Sequence, residues 1–373
     1  MKVLVLAGTR PEAVKVAPVV LELRRHKELT TLLCNTGQHR EMIRQAFDDF
    51  GITPDMELAV MEPGQTLAAL SARLFAAVDS VLREQEPDWV LVQGDTTTAM
   101  VGAMCAFYRH IRVGHIEAGL RSFNRQAPFP EEVNRQAIGR VADLHFAATK
   151  AACANLIREG VDVDDIVLTG NTVIDALHWM RDSIRGKEKE LLDARVAGAL
   201  EEGRRVILVT GHRRENFGEG FREICRAVRT LADTREDVLF CYPVHLNPNV
   251  QGPVTDILGG HPRILLVPPL AYRAFVAHLQ ASYLVLTDSG GIQEEAPALG
   301  KPVLVMRDVT ERPEGVKAGV ARLVGPHAAE IVRQTSRLLD DADAYRRMAR
   351  ATNPYGDGHA AERIADAIRN IVV

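Results

Sequence analysis

Residues 283–306 constrain the fold of this chain more than any other stretch. Residues 283–287 are apolar and β-prone, Asp288-Ser289-Gly290-Gly291 break the run, a helical pattern follows to Gly300, and residues 303–306 read as a second buried-type strand. Strand, crossover helix and strand make a βαβ unit, and such units build parallel sheets covered by helices. The turn also has a chemical implication. Two glycines let the backbone approach a ligand closely, and the first N–H groups of the helix are unpaired donors at the positive end of its dipole. Ser289 adds a hydroxyl, while Glu295, about one turn further in, can accept from the two hydroxyls of a ribose. Together they suggest a nucleotide diphosphate; the bland alternative is a strand-to-helix turn that binds nothing. The second strand delivers Arg307, Asp308, Glu311, Arg312 and Glu314 into a loop at its carboxyl end, where ligands of open α/β sheets sit.

The same alternation runs along the whole chain. Strand patterns at 2–7, 29–35, 89–93, 112–117, 144–148 and 166–169 each empty into a polar or glycine-bearing loop and then a helix pattern. A charge-dense stretch at 181–205 suggests a boundary, and a second alternation begins with strand patterns at 205–210, 238–242 and 264–267. Two Rossmann-like halves follow from this, whose polar loops can face each other across a cleft. The segment GDGHAA at 356–361 formally resembles a dinucleotide fingerprint, but no strand pattern precedes it, so it carries no such reading.

Length agrees with two domains: 373 residues are many for one. With 45 Lys and Arg against 49 Asp and Glu, the formal charge is −4, so no overall basic field points to nucleic acid or an anionic membrane. Any anion must be met locally. Cys34, Cys105, Cys153, Cys225 and Cys241 are widely spaced and include no C-x-x-C pair, which fits a reduced cytoplasmic setting better than disulfides or structural zinc. The opening KVLVLAG is a first core strand, since a glycine turn and helix follow at once; neither a signal peptide nor a membrane span is expected.

Several loop residues are candidates for chemistry, each beside a plainer reading. Arg10 and Lys15 lie near the start of a helix at a strand's carboxyl edge, as anion contacts or as solvated charges. Asp95 is an acid–base group or a helix N-cap. Glu117 interrupts the apolar run VGHIEAGL; it is either a carboxyl with a raised pKa, fit for proton transfer, or one satisfied by Arg121 or by backbone N–H groups. Glu131 opens another helix pattern, where acids are favoured anyway. The sequence has no Walker-type loop, H-E-x-x-H, G-x-S-x-G or paired C-x-x-C, so classical NTPase, zinc protease, α/β-hydrolase and zinc-ribbon readings fall away. A nucleotide-sugar enzyme remains as the leading reading.

The motifs themselves resemble a known family. GTRPEA at 8–13, TGQHREM at 36–42, GDTTT at 94–98, HIEAGLR at 115–121, PEEVNR at 130–135, TGNTVIDAL at 169–177, TGHRREN at 210–216, PVHLNPN at 243–249 and the run from TDSGGIQEEAPALGKPVLVMR to TERPE are similar, in collinear order, to the non-hydrolysing UDP-N-acetylglucosamine 2-epimerases. The resemblance implies an α/β, GT-B fold of two Rossmann-like doubly wound domains with a central cleft. The first would span 1–170, with a C-terminal helix at 357–373 packing back on it, and the second, UDP-binding, 171–356. It implies reversible conversion of UDP-GlcNAc to UDP-ManNAc through elimination of UDP, an enzyme-bound 2-acetamidoglucal and re-addition. Catalytic roles would fall to Asp95, Glu117, Glu131 and His212. Substrate would be held by Asp95, Glu117 and His212 together with Arg10, Lys15, Phe275, Ser289, Gly290, Gly291, Glu295 and Arg312. Gln38, His39, Gln65, Glu131, Arg213 and His245 correspond to a regulatory pocket for a second UDP-GlcNAc, with Gly64 a departure from the Arg of some members. A homodimer is implied, and no metal or nicotinamide site is called for. Two rival activities are a glycosyltransferase with a UDP-sugar donor and a hydrolysing 2-epimerase that releases ManNAc; a catalytically silent nucleotide-sugar sensor is a third reading.

Overall fold

The computed structural model describes residues 1–37, 40–62 and 64–371. The chain forms two compact units, Met1–Trp179 with Tyr355–Val373, and Met180–Pro354.

Among the described residues the first unit holds a parallel sheet of β1 (Lys2–Ala7), β2 (Thr30–Asn35), β3 (Met56–Glu57), β4 (Trp89–Gln93), β5 (Arg112–Ala118), β6 (Leu144–Ala147) and β7 (Ile166–Leu168), ordered β3-β2-β1-β4-β5-β6-β7. The second holds β8 (Arg205–Thr210), β9 (Val238–Pro243), β10 (Ile264–Val267), β11 (Leu284–Thr287), β12 (Val303–Val305) and β13 (Ala321–Leu323), also parallel and ordered β10-β9-β8-β11-β12-β13. The central strands are apolar on both faces because helices cover both sides. Val3 to Ala7 are buried throughout, as are Trp89 to Gln93 and Val206 to Thr210. Each fully buried Val, Leu, Ile or Phe contributes about 1.5–3 kcal/mol of transfer free energy, so these strands anchor the two cores. In the second unit Phe221, Ile224 and Val228 of the helix Glu219–Thr234 pack with Ile207, Phe240 and Leu284.

Both sheets turn around at the same place in their order. Numbered from one within each unit, the strands run 3-2-1-4-5-6-7 in the first sheet and 3-2-1-4-5-6 in the second, and the crevice of such a sheet opens where the order reverses. That point lies between β1 and β4 in the first unit and between β8 and β11 in the second. The loops that leave those four strands therefore receive whatever ligand each sheet binds.

Some elements are not announced by the sequence pattern. The helix Pro248–Leu258 contains Pro253, and β13 is only three residues long. The helix Ala360–Asn370 belongs to the first unit, packs on the helix Arg10–Arg25, and follows a loop through Gly356 and Gly358. Among the described residues no helix is long and apolar enough to cross a membrane.

Candidate functional site

In the first unit the switch-point loops are tied together by Glu12. Thr9 caps the helix Arg10–Arg25, and Glu12 three residues on takes the Thr9 N–H at 2.8 Å, the reciprocal half of a capping box. Its carboxylate also accepts the Gly8 N–H at 3.2 Å and the Thr96 hydroxyl at 2.7 Å. Glu12 is wholly buried, and burial pushes its carboxyl up while these bonds pull it down. It thus joins the loop after β1 to the loop after β4. The capping box was legible from the spacing of Thr9 and Glu12; the bond from Thr96 was not.

Around that knot three carboxylates gather. Glu117 lies at the end of β5 with φ of 63°, in the left-handed region that costs a non-glycine residue free energy, and the β5–β6 register shifts between Ile116 and Ala118. A bulge of this kind re-aims a side chain. Here it brings Glu117 to Lys15, from the first helix, and to the Gln93 amide at the end of β4. The alternative partner Arg121 is engaged elsewhere: its guanidinium makes two 2.7 Å bonds to Glu159. Asp95, just past β4, pairs with the Arg135 guanidinium at 3.0 Å, and its backbone carbonyl accepts the Asn134 amide at 2.9 Å. Burial raises the Asp95 carboxyl above its ordinary value, Arg135 and Lys15 oppose that, and Glu117 and Glu131 add to it. Glu131, half-buried, begins the helix Glu131–Val141, and its Oε2 atom is buried without a hydrogen-bond partner among the described residues. Asp95, Glu117, Glu131 and Lys15 therefore share one electrostatic neighbourhood. Arg10 starts the first helix and is half-buried. Arg135, Gln93 and Glu12 are the members of this cluster that sequence reasoning did not single out.

Gln65 is held by its own neighbours. It bonds Arg73 and the Glu62 N–H just before the helix Leu67–Gln85. Gln38 and His39 lie outside the described residues.

In the second unit Ser289 is the N-cap of the helix Gly290–Ala298, directly after β11. Two guanidinium groups stand over its first turn: a Cβ placed on Gly290 would lie 3.4 Å from Arg213 Nη2 and 3.4 Å from Arg312 Cζ. Arg312 is steadied by Glu294 of the same helix, which accepts its Nε–H at 2.8 Å. Helix dipole, unpaired N–H groups and two guanidiniums at one point make an anion site. Glu295, one turn in, accepts the Tyr272 hydroxyl at 2.9 Å, and Tyr272 begins the helix Tyr272–Ala281 that carries half-buried Phe275.

The loop after β8 completes this site. His212 stacks on His245, ring centroids 5.3 Å apart and planes within 14°. Burial lowers the His212 imidazole below its ordinary range, Arg213 and His245 lower it further, and Asp288 raises it. The structure thus sets His212 and Arg213 beside the glycine turn and His245 against the His212 ring. Asp288 and Glu294 are supporting residues the sequence reading passed over.

Comparisons with known proteins point to one family. A family model described as UDP-N-acetylglucosamine 2-epimerase matches residues 21–369. The UDP-N-acetylglucosamine 2-epimerase of Escherichia coli K12 is 50% identical over 99% of both chains. Among solved structures, the UDP-GlcNAc 2-epimerase of Neisseria meningitidis bound to UDP-GlcNAc is similar with a TM-score of 0.92 and 43% identity, covering 99% of this chain and 100% of that one. The Methanocaldococcus jannaschii UDP-GlcNAc 2-epimerase in complex with UDP-GlcNAc and UDP is similar at a TM-score of 0.81 and 29% identity, with coverage of 99% and 100%. Two parallel α/β sheets and these neighbours give the fold class as GT-B.

Proposed function

Because the chain belongs to the UDP-N-acetylglucosamine 2-epimerase family, we propose that it interconverts UDP-GlcNAc and UDP-ManNAc by eliminating and re-adding UDP. The observation that carries the reading is the gathering of Asp95, Glu117, Glu131 and Lys15 at the switch point of the first sheet. The hydrogen on C2 is not next to a carbonyl, so its removal must be coupled to departure of the diphosphate. As a carboxylate takes the C2 proton, the C1–O bond breaks, C1 and C2 become doubly bonded, and UDP leaves with the electron pair. Return of a proton to the opposite face and re-addition of UDP at C1 completes the inversion. Both hydrogens move as protons and the substrate undergoes no net redox change, so the chemistry requires no nicotinamide.

The residues divide by task. Asp95, Glu117 and Glu131 form the acid–base set, because removing a proton from one face and returning one to the other needs more than one carboxyl. Lys15 and Arg10 complete the sugar-phosphate contacts of the first unit. Ser289, Gly290, Gly291 and Arg312 hold the diphosphate and Glu295 the ribose, Phe275 completes the substrate envelope, and stabilising the departing anion lowers much of the barrier. His212 donates to the leaving phosphate. Gln38, His39, Gln65, Glu131, Arg213 and His245 form a site for a second UDP-GlcNAc that activates the enzyme; Gly64 stands where some relatives carry an Arg. The protein acts in the cytoplasm as a homodimer, spanning 1–170 with 357–373 and 171–356 as its domains, and feeds ManNAc-derived sugars to surface polysaccharide.

Incubation with UDP-GlcNAc in deuterated water tests the reading. UDP-ManNAc carrying deuterium at C2 is the expected product, formed with a sigmoidal dependence on UDP-GlcNAc. Unchanged substrate in the absence of an acceptor would indicate a glycosyltransferase, and release of free ManNAc a hydrolysing enzyme.

A further inference from the structure

Asp288 has no exposed surface, and every donor seen on its carboxylate comes from a loop more than seventy residues away in sequence. The backbone N–H of His212 lies 3.0 Å from Oδ2, that of Arg213 2.9 Å, and the Asn216 side-chain amide 3.2 Å. The same Asn216 amide reaches the Met306 carbonyl at 3.1 Å, and the Asp288 N–H donates to Thr210 at 3.2 Å. The carboxylate and the Asn216 amide bonded to it therefore knit the ends of β8, β11 and β12. An amide here keeps one acceptor oxygen for the three donors on Oδ2 but gives up the negative charge and the second oxygen, which lies 3.1 Å from the His212 N–H. Such a charge is costly to bury unless hydrogen-bonded in this way.

The carboxylate also faces the ring it helps to place. His212 Nδ1 lies 3.8 Å from Asp288 Oδ1. The charged and titratable groups facing that ring are Asp288 from the end of β11, Arg213 from its own loop and His245 from the loop after β9. Of these, Asp288 alone favours the protonated imidazole. We propose that Asp288 is a positioning residue for His212: it fixes the 211–218 loop beside the glycine turn and places a negative charge behind the ring that serves phosphate departure. The inference rests on the assignment of His212 to leaving-group departure in the epimerase reading.

Two variants and two readouts test it. The His212 titration is followed by heteronuclear NMR, its signal assigned by its loss in His212→Asn, and kcat and KM are measured from UDP-GlcNAc alone. In Asp288→Asn the His212 midpoint should fall by about one unit, and kcat should drop about 10²-fold with KM changed less than about threefold. In Asn216→Ala, which removes one donor from Asp288 and leaves both backbone donors, the midpoint should move the other way, up by a few tenths of a unit. Should Asp288→Asn fail to fold, the sign of the Asn216→Ala shift decides alone. An unmoved or downward shift in Asn216→Ala overturns the proposal. So does loss of turnover in Asp288→Asn without a titration shift, or a shift without loss of turnover. Failure of the epimerase reading shows separately, as no UDP-ManNAc from the unaltered enzyme.

Discussion

The two switch points use one topology and satisfy their polar groups in opposite ways. At the end of β4 and β5 in the first unit, formal charge is set against formal charge: Asp95 with Arg135, Glu117 with Lys15, Glu131 close to Asp95. At the end of β8 and β11 in the second, the buried carboxylate of Asp288 is met by uncharged N–H donors, and the positive face is a helix end with two guanidiniums. On the roles proposed above, the difference follows the task. A proton-transfer group needs a free energy of ionisation that neighbours can move, and nearby charges move it most. An anion grip needs donors that stay put, and backbone N–H groups at a helix start are fixed by the fold.

The largest effect that tests this contrast comes from the first unit. Glu117→Gln keeps the shape of the side chain and removes its basicity, and deuterium exchange at C2 should slow by about 10²- to 10⁴-fold. UDP affinity, measured by calorimetry, should stay within a few-fold. A variant that loses UDP binding in proportion to exchange would erase the division between proton handling and nucleotide grip.

The complementary change in the second unit should be smaller and fall on binding. Arg312→Met removes a charge-assisted donor from the glycine turn, and UDP affinity should weaken by about 10- to 100-fold, the range for hydrogen bonds to charged groups. Loss of the guanidinium also takes one ion pair from Glu294, 3% exposed, so part of the cost comes through stability. A thermal-denaturation control separates the two contributions. Full UDP affinity in a folded Arg312→Met would remove the guanidinium from the grip.

The contrast also explains what the sequence could and could not reveal. The glycine turn, its helix and the flanking strands are local patterns, so 283–306 could be read directly from apolar runs and turn residues. Asp95 stood out as a polar residue at a strand's carboxyl end, Glu117 as a carboxyl within an apolar run and Glu131 as an acid at a helix start, while His212 came through the family resemblance. The pairings in the two sites did not stand out. Lys15 meets Glu117 across 102 positions, Thr96 meets Glu12 across 84, and Asp288 meets His212 across 76. Nearness in sequence pointed to Arg121 as a partner of Glu117, whereas the bulge in β5 turns the carboxylate away and Arg121 pairs with Glu159. The bulge is set by pairing with β6, which no window on β5 reveals.

The first unit's reliance on carboxylates extends beyond the switch point, and there the expected effect is smallest. Asp175, 8% exposed, accepts the Ala361 N–H at 2.8 Å and so caps the helix Ala360–Asn370 that packs on the helix Arg10–Arg25. Burial raises its carboxyl to about 6, from an ordinary value of 3.8. The folded state therefore binds more protons than the unfolded one between those values. This contribution is fully present below about pH 4 and is lost as pH rises through about 6, with an upper bound of about 3 kcal/mol. Asp175→Asn keeps an acceptor for the Ala361 N–H and does not ionise. The difference in Tm, variant minus parent, should grow more positive from pH 4.5 to 7.5, by a few degrees for about 1 kcal/mol in a chain of this size. A difference that stays flat with pH would mean that Asp175 holds the helix as a neutral acceptor throughout, and the reliance on tuned carboxylates would then be confined to the switch-point loops.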